Sequence, residues 1–329
     1  MDVISALKES GLIGLGGASF PTWKKWESVK NSPGLKKYVI CNLSESEPGV
    51  FKDEYILQNH LQELVFGILL ASKTVGASKS YIFLNDKFKR YLTKIKKVGK
   101  GQKIEVFIDT GRYLCGEETT LLQVMEGKLR QPRQKPPYPS EFGLYGYPTL
   151  INNAETLYRA YKLSQGEPEL KRFYSISGDM LKSQLVEEKI CAKIFEIIPK
   201  NISKQVEFVR VGGASGTFYH KNDFDQLVDS TGALELFSSK LTILDGLIQS
   251  ISFLLEESCG KCTPCREGTY RIAQELNKLT GQDVFWEKDE IVQKIINISM
   301  AAKYSSFCSL GKSISRPVDS AFAILRNNK

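Results

Sequence analysis

Three cysteines spaced by two residues, Cys259, Cys262 and Cys265, with a fourth at Cys308, constrain this chain more than any other feature. The first three lie in the run Glu-Glu-Ser-Cys-Gly-Lys-Cys-Thr-Pro-Cys-Arg-Glu-Gly, residues 256–268, and Cys308 lies in Ser-Ser-Phe-Cys-Ser-Leu-Gly. Three thiolates in one tight loop can take three corners of an iron–sulfur cube, and a distant fourth can close it. Zinc is the competing ligand, although zinc sites more often pair two C-x2-C hooks or include histidine. The only histidines are His60 and His220, neither near the loop in sequence. A fold built on this site must return residue 308 to residues 259–265. Helical texture over 241–257, 269–279, 289–303 and 318–327 predicts a helical bundle that gathers the four sulfurs.

The chain has seven cysteines, of which Cys41, Cys115 and Cys191 stand alone. An odd count with four at cluster spacing argues against a disulfide framework and for a reducing compartment, so a cytoplasmic location is expected. The N-terminus lacks a basic region followed by an apolar run, so no signal peptide is expected. The longest apolar run, 64–71, is too short to span a bilayer. A net charge of +8 raises the question of nucleic acid. No zinc-finger, helix-turn-helix or RNA-recognition signature accompanies it, and the lysines clustered at 87–103 read as a solvated surface. No nucleic-acid partner is expected.

Residues 11–26 carry Gly14, Gly16 and Gly17 ahead of Thr22, where a helix is expected to start. Such a loop can expose amides, and a helix N-terminus favours phosphate. It is not a dinucleotide fingerprint, because no strand precedes it and Ser19 stands where a third glycine would be. By itself such a loop is more often a plain turn. Strands are expected at 37–42, 80–84 and 104–108, with a helical segment over 54–76 between the first two. That alternation predicts a mostly parallel sheet covered by helices, with ligands at the carboxyl ends of the strands. Two polar loops fall at such ends. One carries Glu45 and Glu47; the other runs from Asp109 to Glu118, and its Glu117 and Glu118 open a helix. Favourable charge at a helix start is a sufficient alternative reason for those two glutamates. Residues 130–156 read as a long loop rich in proline and aromatics, with Asn152, Asn153, Glu155 and Thr156 beginning the next helix. Beyond 170 the texture changes to short strands at 173–177, 193–198 and 206–211, with a turn at 212–216.

Taken together these stretches resemble the FMN- and NADH-binding 51 kDa (F-type) subunit of respiratory complex I and the related flavin subunits of NAD-linked hydrogenases and formate dehydrogenases. The resemblance rests on motifs in the family's order: Gly14-Leu-Gly-Gly-Ala-Ser-Phe-Pro-Thr with Lys25 and Trp26; Cys41-Asn-Leu-Ser-Glu-Ser-Glu-Pro-Gly and Phe51-Lys-Asp-Glu; Tyr113-Leu-Cys-Gly-Glu-Glu-Thr; Pro132-Arg-Gln-Lys-Pro-Pro-Tyr-Pro; Asn152-Asn-Ala-Glu-Thr; and the cysteine run. It implies an α/β fold in three parts. A Rossmann-like FMN- and NAD-binding domain covers 1–168, a ubiquitin-like β-grasp domain 169–240, and a helical [4Fe–4S] domain 241–329. It implies that Gly14, Gly16, Gly17 and Lys25 lie around the cofactors, with Glu45 in the loop beside them. Asn42, Tyr113, Gly116, Glu117, Asn152 and Asn153 would hold FMN. Phe20, Glu47, Glu118 and Tyr138 would contact the dinucleotide, and Cys259, Cys262, Cys265 and Cys308 the cluster.

The implied activity is NADH oxidation through FMN, with single electrons passed to the [4Fe–4S] cluster and then to partner subunits: a [2Fe–2S] thioredoxin-like subunit and a larger iron–sulfur subunit. No side chain need act as a general base. The complex would be membrane-peripheral, on the inner face, or a soluble redox assembly. The chain departs from the family pattern at Leu15, usually Arg; at Ser19 and Trp23, usually Gly; at Ser44, usually Asp; and at Ser28, usually near an aromatic. Ser19 and Trp23 would add bulk where a flat ring enters. A homologue with altered or lost NAD binding, serving another donor, is therefore the second reading, and a zinc-bearing interaction module is the third.

Overall fold

The computed structural model describes residues 2–34, 36–167, 169–179, 182–228, 231–238, 242–279 and 290–327. The chain forms two compact units. The first comprises Met1–Ser46, Phe51–Tyr174 and Leu185–Ile190, and the second comprises Glu47–Val50, Ser175–Gln184 and Cys191–Lys329.

In the first unit the order is α1 (Val3–Ser10), α2 (Thr22–Asn31), β1 (Tyr38–Leu43), α3 (Lys52–Asn59), α4 (Leu61–Val75), β2 (Lys79–Leu84), α5 (Leu92–Val98), β3 (Ile104–Ile108), α6 (Glu118–Met125), β4 (Thr149–Asn153) and α7 (Ala154–Ser164). The strands form a parallel sheet in the order β3-β2-β1-β4. The expected strands are present. The expected helix over 54–76 is two helices, α3 and α4, divided at His60. The loop expected over 130–156 instead ends in β4, which pairs along β1 from Tyr38↔Thr149 to Asn42↔Asn153. The reason is burial: Thr149 to Asn152 are shielded beside the central strand, and a backbone there must find ladder partners.

Alternation along β1 builds a core on each face. Val39, Cys41 and Leu43 join Trp26, Ile56, Leu64 and Ile68 on one side. Ile40 joins Phe83, Leu121, Leu122, Leu144 and Ile151 on the other. Burial on both faces is what a parallel sheet requires. Strand order reverses at β1: the chain steps away through β2 and β3, then returns to the opposite edge as β4. Open α/β sheets bind ligands in the crevice at the carboxyl ends of strands at such a reversal.

The second sheet contains β5 (Lys171–Gly178), β6 (Gln184–Lys189), β7 (Phe208–Val211), β8 (Thr217–His220) and β9 (Ala233–Phe237), in the order β6-β5-β9-β7-β8. Its first and last strands, β5 and β9, run parallel side by side, and β7 is antiparallel to both β8 and β9. This is the β-grasp arrangement. The strand expected at 193–198 is instead a helical turn, α8 (Ile194–Ile197). Glu196 closes that turn by accepting from the Lys193 N–H at 2.7 Å, which the apolar alternation of the sequence does not reveal.

The C-terminal part is helical: α9 (Ile243–Glu257), α10 (Thr263–Leu279), α11 (Glu290–Ser305), α12 (Ser309–Ser313) and α13 (Ser315–Asn327). Helix α10 packs against α9 and α11, and α13 against both of those. The expected boundaries at 168, 240, 241 and 289 lie outside the described residues. No helix among the described residues is long and apolar enough to cross a membrane.

Candidate functional site

At the strand-order reversal, β1 and β4 end side by side at Asn42 and Asn153. The glycine loop lies against this edge. It is a small hairpin, closed by Gly14 N–H to the Phe20 carbonyl (2.8 Å) and Thr22 N–H to the Leu12 carbonyl (2.9 Å). A Cβ on Gly16 would stand 3.0 Å from Asn153 Cβ, so the loop's closest approach needs glycine. Gly17 has φ 107°, a left-handed value that glycine adopts freely. Ser19 occupies the left-handed region at φ 49°, where a side chain is strained.

The departures from the family pattern acquire positions. Leu15 is buried in the core, and its N–H donates to Thr156 Oγ1 at 2.9 Å. Trp23 packs on the same core, with Lys8 and Lys24 Nζ at 5.0 and 5.5 Å from its ring centroid. Its bulk is therefore spent largely on packing. Ser28 is exposed on α2.

The asparagines are committed within the protein. Asn42 donates to the Gly116 carbonyl (2.9 Å) and accepts from Ser44 N–H (3.1 Å). Asn152 Oδ1 accepts from the Trp26 indole N–H at 2.9 Å. Asn153 caps α7 by accepting from Glu155 N–H (3.0 Å), and it also accepts from Lys52 Nζ (2.8 Å) and donates to Asp53 (2.8 Å). These side chains set the shape of the crevice. Gly116 lets the loop after Tyr113 close onto β1: a Cβ there would meet the Ser44 carbonyl at 3.2 Å.

A second charged group faces outward. Glu117 caps α6, accepting from the N–H groups of Thr119 (3.0 Å) and Thr120 (2.8 Å). Glu118 pairs with Lys25 (2.9 Å) and Lys135 (2.9 Å), and Lys135 also reaches Glu117 (3.1 Å). Burial works to raise the Glu118 carboxyl, but the two lysines outweigh it and bring it down to about 2. Phe20 and Tyr138 are half-exposed aromatics of the first unit, available for ring stacking. Glu47 falls in the second unit, where it accepts from the Ala214 N–H at 2.6 Å.

Beneath the crevice floor lies a group whose members fall in the sequence motifs but whose common burial the sequence does not reveal. Lys52 (side chain 6% exposed) is held by Asp53 at 2.7 Å and Glu155 at 3.3 Å, both also buried. Glu45 joins it by accepting from the Asp53 N–H at 2.8 Å. Burial alone would depress the Lys52 ammonium; Asp53 and Glu155 together raise it. The signals in the sequence are the Phe51-Lys-Asp-Glu motif and, in two further motifs, Glu45 and Glu155.

In the second unit the cysteine run joins α9 to α10. Gly260 turns the chain at φ 74°, and the Arg266 guanidinium ties the loop by donating to its carbonyl at 2.8 Å. Cys265 sits in the first turn of α10, 3.5 Å from Ser258 Oγ, and Cys308 flanks the start of α12. A Cβ on Gly311 would meet Cys265 Cβ at 3.0 Å, so α12 passes directly over Cys265 and brings Cys308 to the loop. Burial pushes the Cys265 thiol up to about 11, and Cys262, Cys308 and Cys259 add to the rise. Four thiolates this close would repel one another, which suits a polycation that binds them in that form, and the buried Ser306 hydroxyl beside Gly311 lacks a hydrogen-bond partner. Among the described residues no three His, Cys, Asp or Glu converge on a single-ion position.

Two family models match. Residues 7–162 match the Nuo51 FMN-binding domain, and residues 247–328 match the NADH-ubiquinone oxidoreductase-F iron–sulfur binding region. The F subunit of NADH-quinone oxidoreductase from Rickettsia bellii (strain OSU 85-389) is 32% identical, covering 99% of this chain and 88% of the relative. That of Aquifex aeolicus (strain VF5) is 32% identical, covering 94% and 81%. The crystal structure of an NAD+-reducing [NiFe]-hydrogenase in the H2-reduced state contains a chain that superposes with a TM-score of 0.90 at 27% identity. The match covers 98% of this chain but 61% of that one, so the present chain spans about three fifths of its length. By sequence along nearly its whole length, and by fold, the chain belongs to the family of F-type subunits of NADH-quinone oxidoreductase.

Proposed function

We propose that this chain is an electron-input subunit that oxidises NADH through FMN and passes single electrons to a [4Fe–4S] cluster. The observation that carries this reading is the pairing, in one chain, of a crevice at a parallel-sheet reversal with a four-cysteine helical site. The matching family models fall on those same two regions. FMN, when bound, supplies both hydride acceptance and one-electron release; the protein supplies placement and electrostatics.

In this reading the glycine loop (Gly14, Gly16, Gly17) gives the flavin a backbone floor. Asn42, Glu45, Tyr113, Gly116, Glu117, Asn152 and Asn153 define its walls. Lys25 and Lys135 offer cations to a phosphate, and Phe20 and Tyr138 offer faces to the dinucleotide's base. Glu118, kept ionised by its lysines, disfavours an additional phosphate and so favours NADH over NADPH. Glu47 belongs to the same set. Cys259, Cys262, Cys265 and Cys308 hold the cluster. The division at 1–168, 169–240 and 241–329 follows these roles.

A member of this family works within an assembly. The partners proposed are a [2Fe–2S] thioredoxin-like subunit and a larger iron–sulfur subunit, in a cytoplasmic complex that is soluble or peripheral to the inner face of a membrane. Anaerobic titration of the reconstituted chain with NADH, watching flavin absorbance, tests the reading. Bleaching at low-micromolar to millimolar NADH supports it. Bleaching by dithionite but not by NADH refutes NADH oxidation, and favours a donor other than NAD, the reading motivated by Ser19 in its strained conformation and by Leu15 turned into the core.

A further inference from the structure

Three carboxylates, Glu45, Asp53 and Glu155, share one buried ammonium, Lys52, beneath the ends of β1 and β4. Asp53 and Glu155 each contact Lys52 directly, whereas Glu45 touches the group through the Asp53 N–H. Its other oxygen, Oε2, is buried without a hydrogen-bond partner, and the half-exposed ammonium of Lys87 stands 3.7 Å away. The group is tied to the crevice floor by Asn153, which bonds both Lys52 and Asp53 and lies against Gly16. Lys52 and the buried Arg159, 4.0 Å from Glu155, supply two positive charges against these three carboxylates, so one carboxylate is in excess; the group touches the wall of the crevice, and Glu45 is adjacent to a surface lysine.

We propose that Glu45 is the proton-holding residue of the crevice, taking a proton from water at its Lys87 side when negative charge is added above Asn153 and releasing it when that charge leaves. The inference rests on the flavin reading of the crevice. The step is a simple protonation: the carboxylate Oε2 gains a proton from solvent, the Glu45 charge goes from minus one to zero, and no electron moves. The orphaned oxygen becomes a hydroxyl. NADH oxidation adds negative charge in a confined site, and a nearby carboxyl that neutralises itself offsets it.

The charged and titratable groups facing Glu45 are consistent with this. From α3, Asp53 opposes ionisation and Lys52 favours it; from the turn 86–91, Lys87 favours it; from α7, Glu155 competes for Lys52. Cys41 on β1 stays a neutral thiol, pushed well up by burial and by Asp53. Burial, with Asp53, raises the Glu45 carboxyl to about 7, where a small change of potential moves its proton.

The test is equilibrium binding of FMN to the full apo chain between pH 6 and 8, read by flavin fluorescence. Riboflavin, which is neutral, is the control. The expected result is that FMN affinity falls by about threefold or more as Glu45 ionises, while that of riboflavin, which adds no charge above Asn153, varies by less than about twofold. Glu45→Gln should reduce the FMN change to what the phosphate's own titration leaves, since an amide holds one charge state. Lys87→Gln alters a half-exposed residue and keeps the test open should the Glu45→Gln chain misfold. It should move the transition to higher pH, because Lys87 favours the ionised form. A riboflavin profile as steep as that of FMN, an FMN profile in Glu45→Gln no different from that of the natural chain, or an unmoved transition in Lys87→Gln overturns the inference while leaving the flavin reading intact. Failure to bind FMN at any pH overturns both.

Discussion

Replacing Lys52 with methionine removes the buried ammonium shared by Asp53, Glu155 and Glu45. Breaking a buried ion pair by deleting one partner costs about 3–5 kcal/mol, because the remaining charge is left uncompensated. The fold can limit that cost by protonating a carboxylate. For a glutamate of ordinary pKa this requires about 3.7 kcal/mol at pH 7 but only about 1 kcal/mol at pH 5. Methionine matches the stem of Lys52, so packing contributes little. The expected destabilisation is therefore about 3–4 kcal/mol at pH 7, shrinking to about 1 kcal/mol at pH 5. Urea unfolding followed by tryptophan fluorescence measures it, since Trp26 is fully buried in the first unit and hydrogen-bonded to Asn152. A loss below about 1 kcal/mol at pH 7, or an equal loss at the two pH values, would refute a charge-balancing role for Lys52.

Further outcomes follow from the two sites. Because the folded-state Glu45 carboxyl is raised, the fold binds more protons than the unfolded chain between about 4.5 and 7, so its contribution to stability falls as pH rises through that window; Glu45→Gln should gain stability relative to the natural chain at pH 8, seen as a shifted urea midpoint. The depressed Glu118 works in the opposite sense: its contribution is present above about 4.5 and lost as pH falls towards about 2, so acid unfolding of Glu118→Gln should be less steep over that range. The same variant should raise the NADPH-to-NADH preference by about tenfold, measured by flavin bleaching, which corresponds to about 1.4 kcal/mol of relieved repulsion. Gly311→Ala places a Cβ 3.0 Å from that of Cys265 and 2.5 Å from that of Ser306, so α12 must move; iron content and the dithionite-reduced EPR signal should fall, as they should in Cys308→Ser.

The parts of this fold that could be read from sequence were those where local pattern and burial agree. Residues 104–108 are a short run of β-branched and aromatic residues broken only by Glu105, and β3 occupies them. The cysteine run was legible because ligand spacing is a local property. The fourth strand was not. Thr149-Leu-Ile-Asn-Asn follows a proline and ends in two asparagines, which read as loop and cap; only pairing with β1 makes it a strand. Asn153 is both the strand's last residue and the cap of α7, so one signal concealed the other. Lys52 and Asp53 were hidden for a related reason. Charged residues at a helix start ordinarily face water, and their burial depends on Asn153 and Glu155, a hundred residues away.

The glycine loop keeps its frame with an apolar side chain at position 15. An arginine at position 15 would carry a charge, but Leu15 is 1% exposed and anchored through its backbone to Thr156, so the side chain now adds to the core instead of to the crevice. Trp23 likewise packs towards the core beneath Lys8. With no charged side chain at position 15, the cations left near the loop are Lys25 and Lys135, and both are engaged by Glu118. A phosphate entering the crevice must compete with that carboxylate for them. Ligand affinity should accordingly depend on Glu118 more steeply than on any single glycine-loop side chain: Glu118→Gln frees Lys25 and leaves Lys135 to Glu117 alone, whereas an Arg at position 15 adds one charge at the cost of a buried leucine, about 2–5 kcal/mol of core packing. Comparing FMN affinity in Glu118→Gln and Leu15→Arg separates the two effects. A larger gain from the arginine would mean that the loop, and not the lysine–glutamate group, governs the charge of the site.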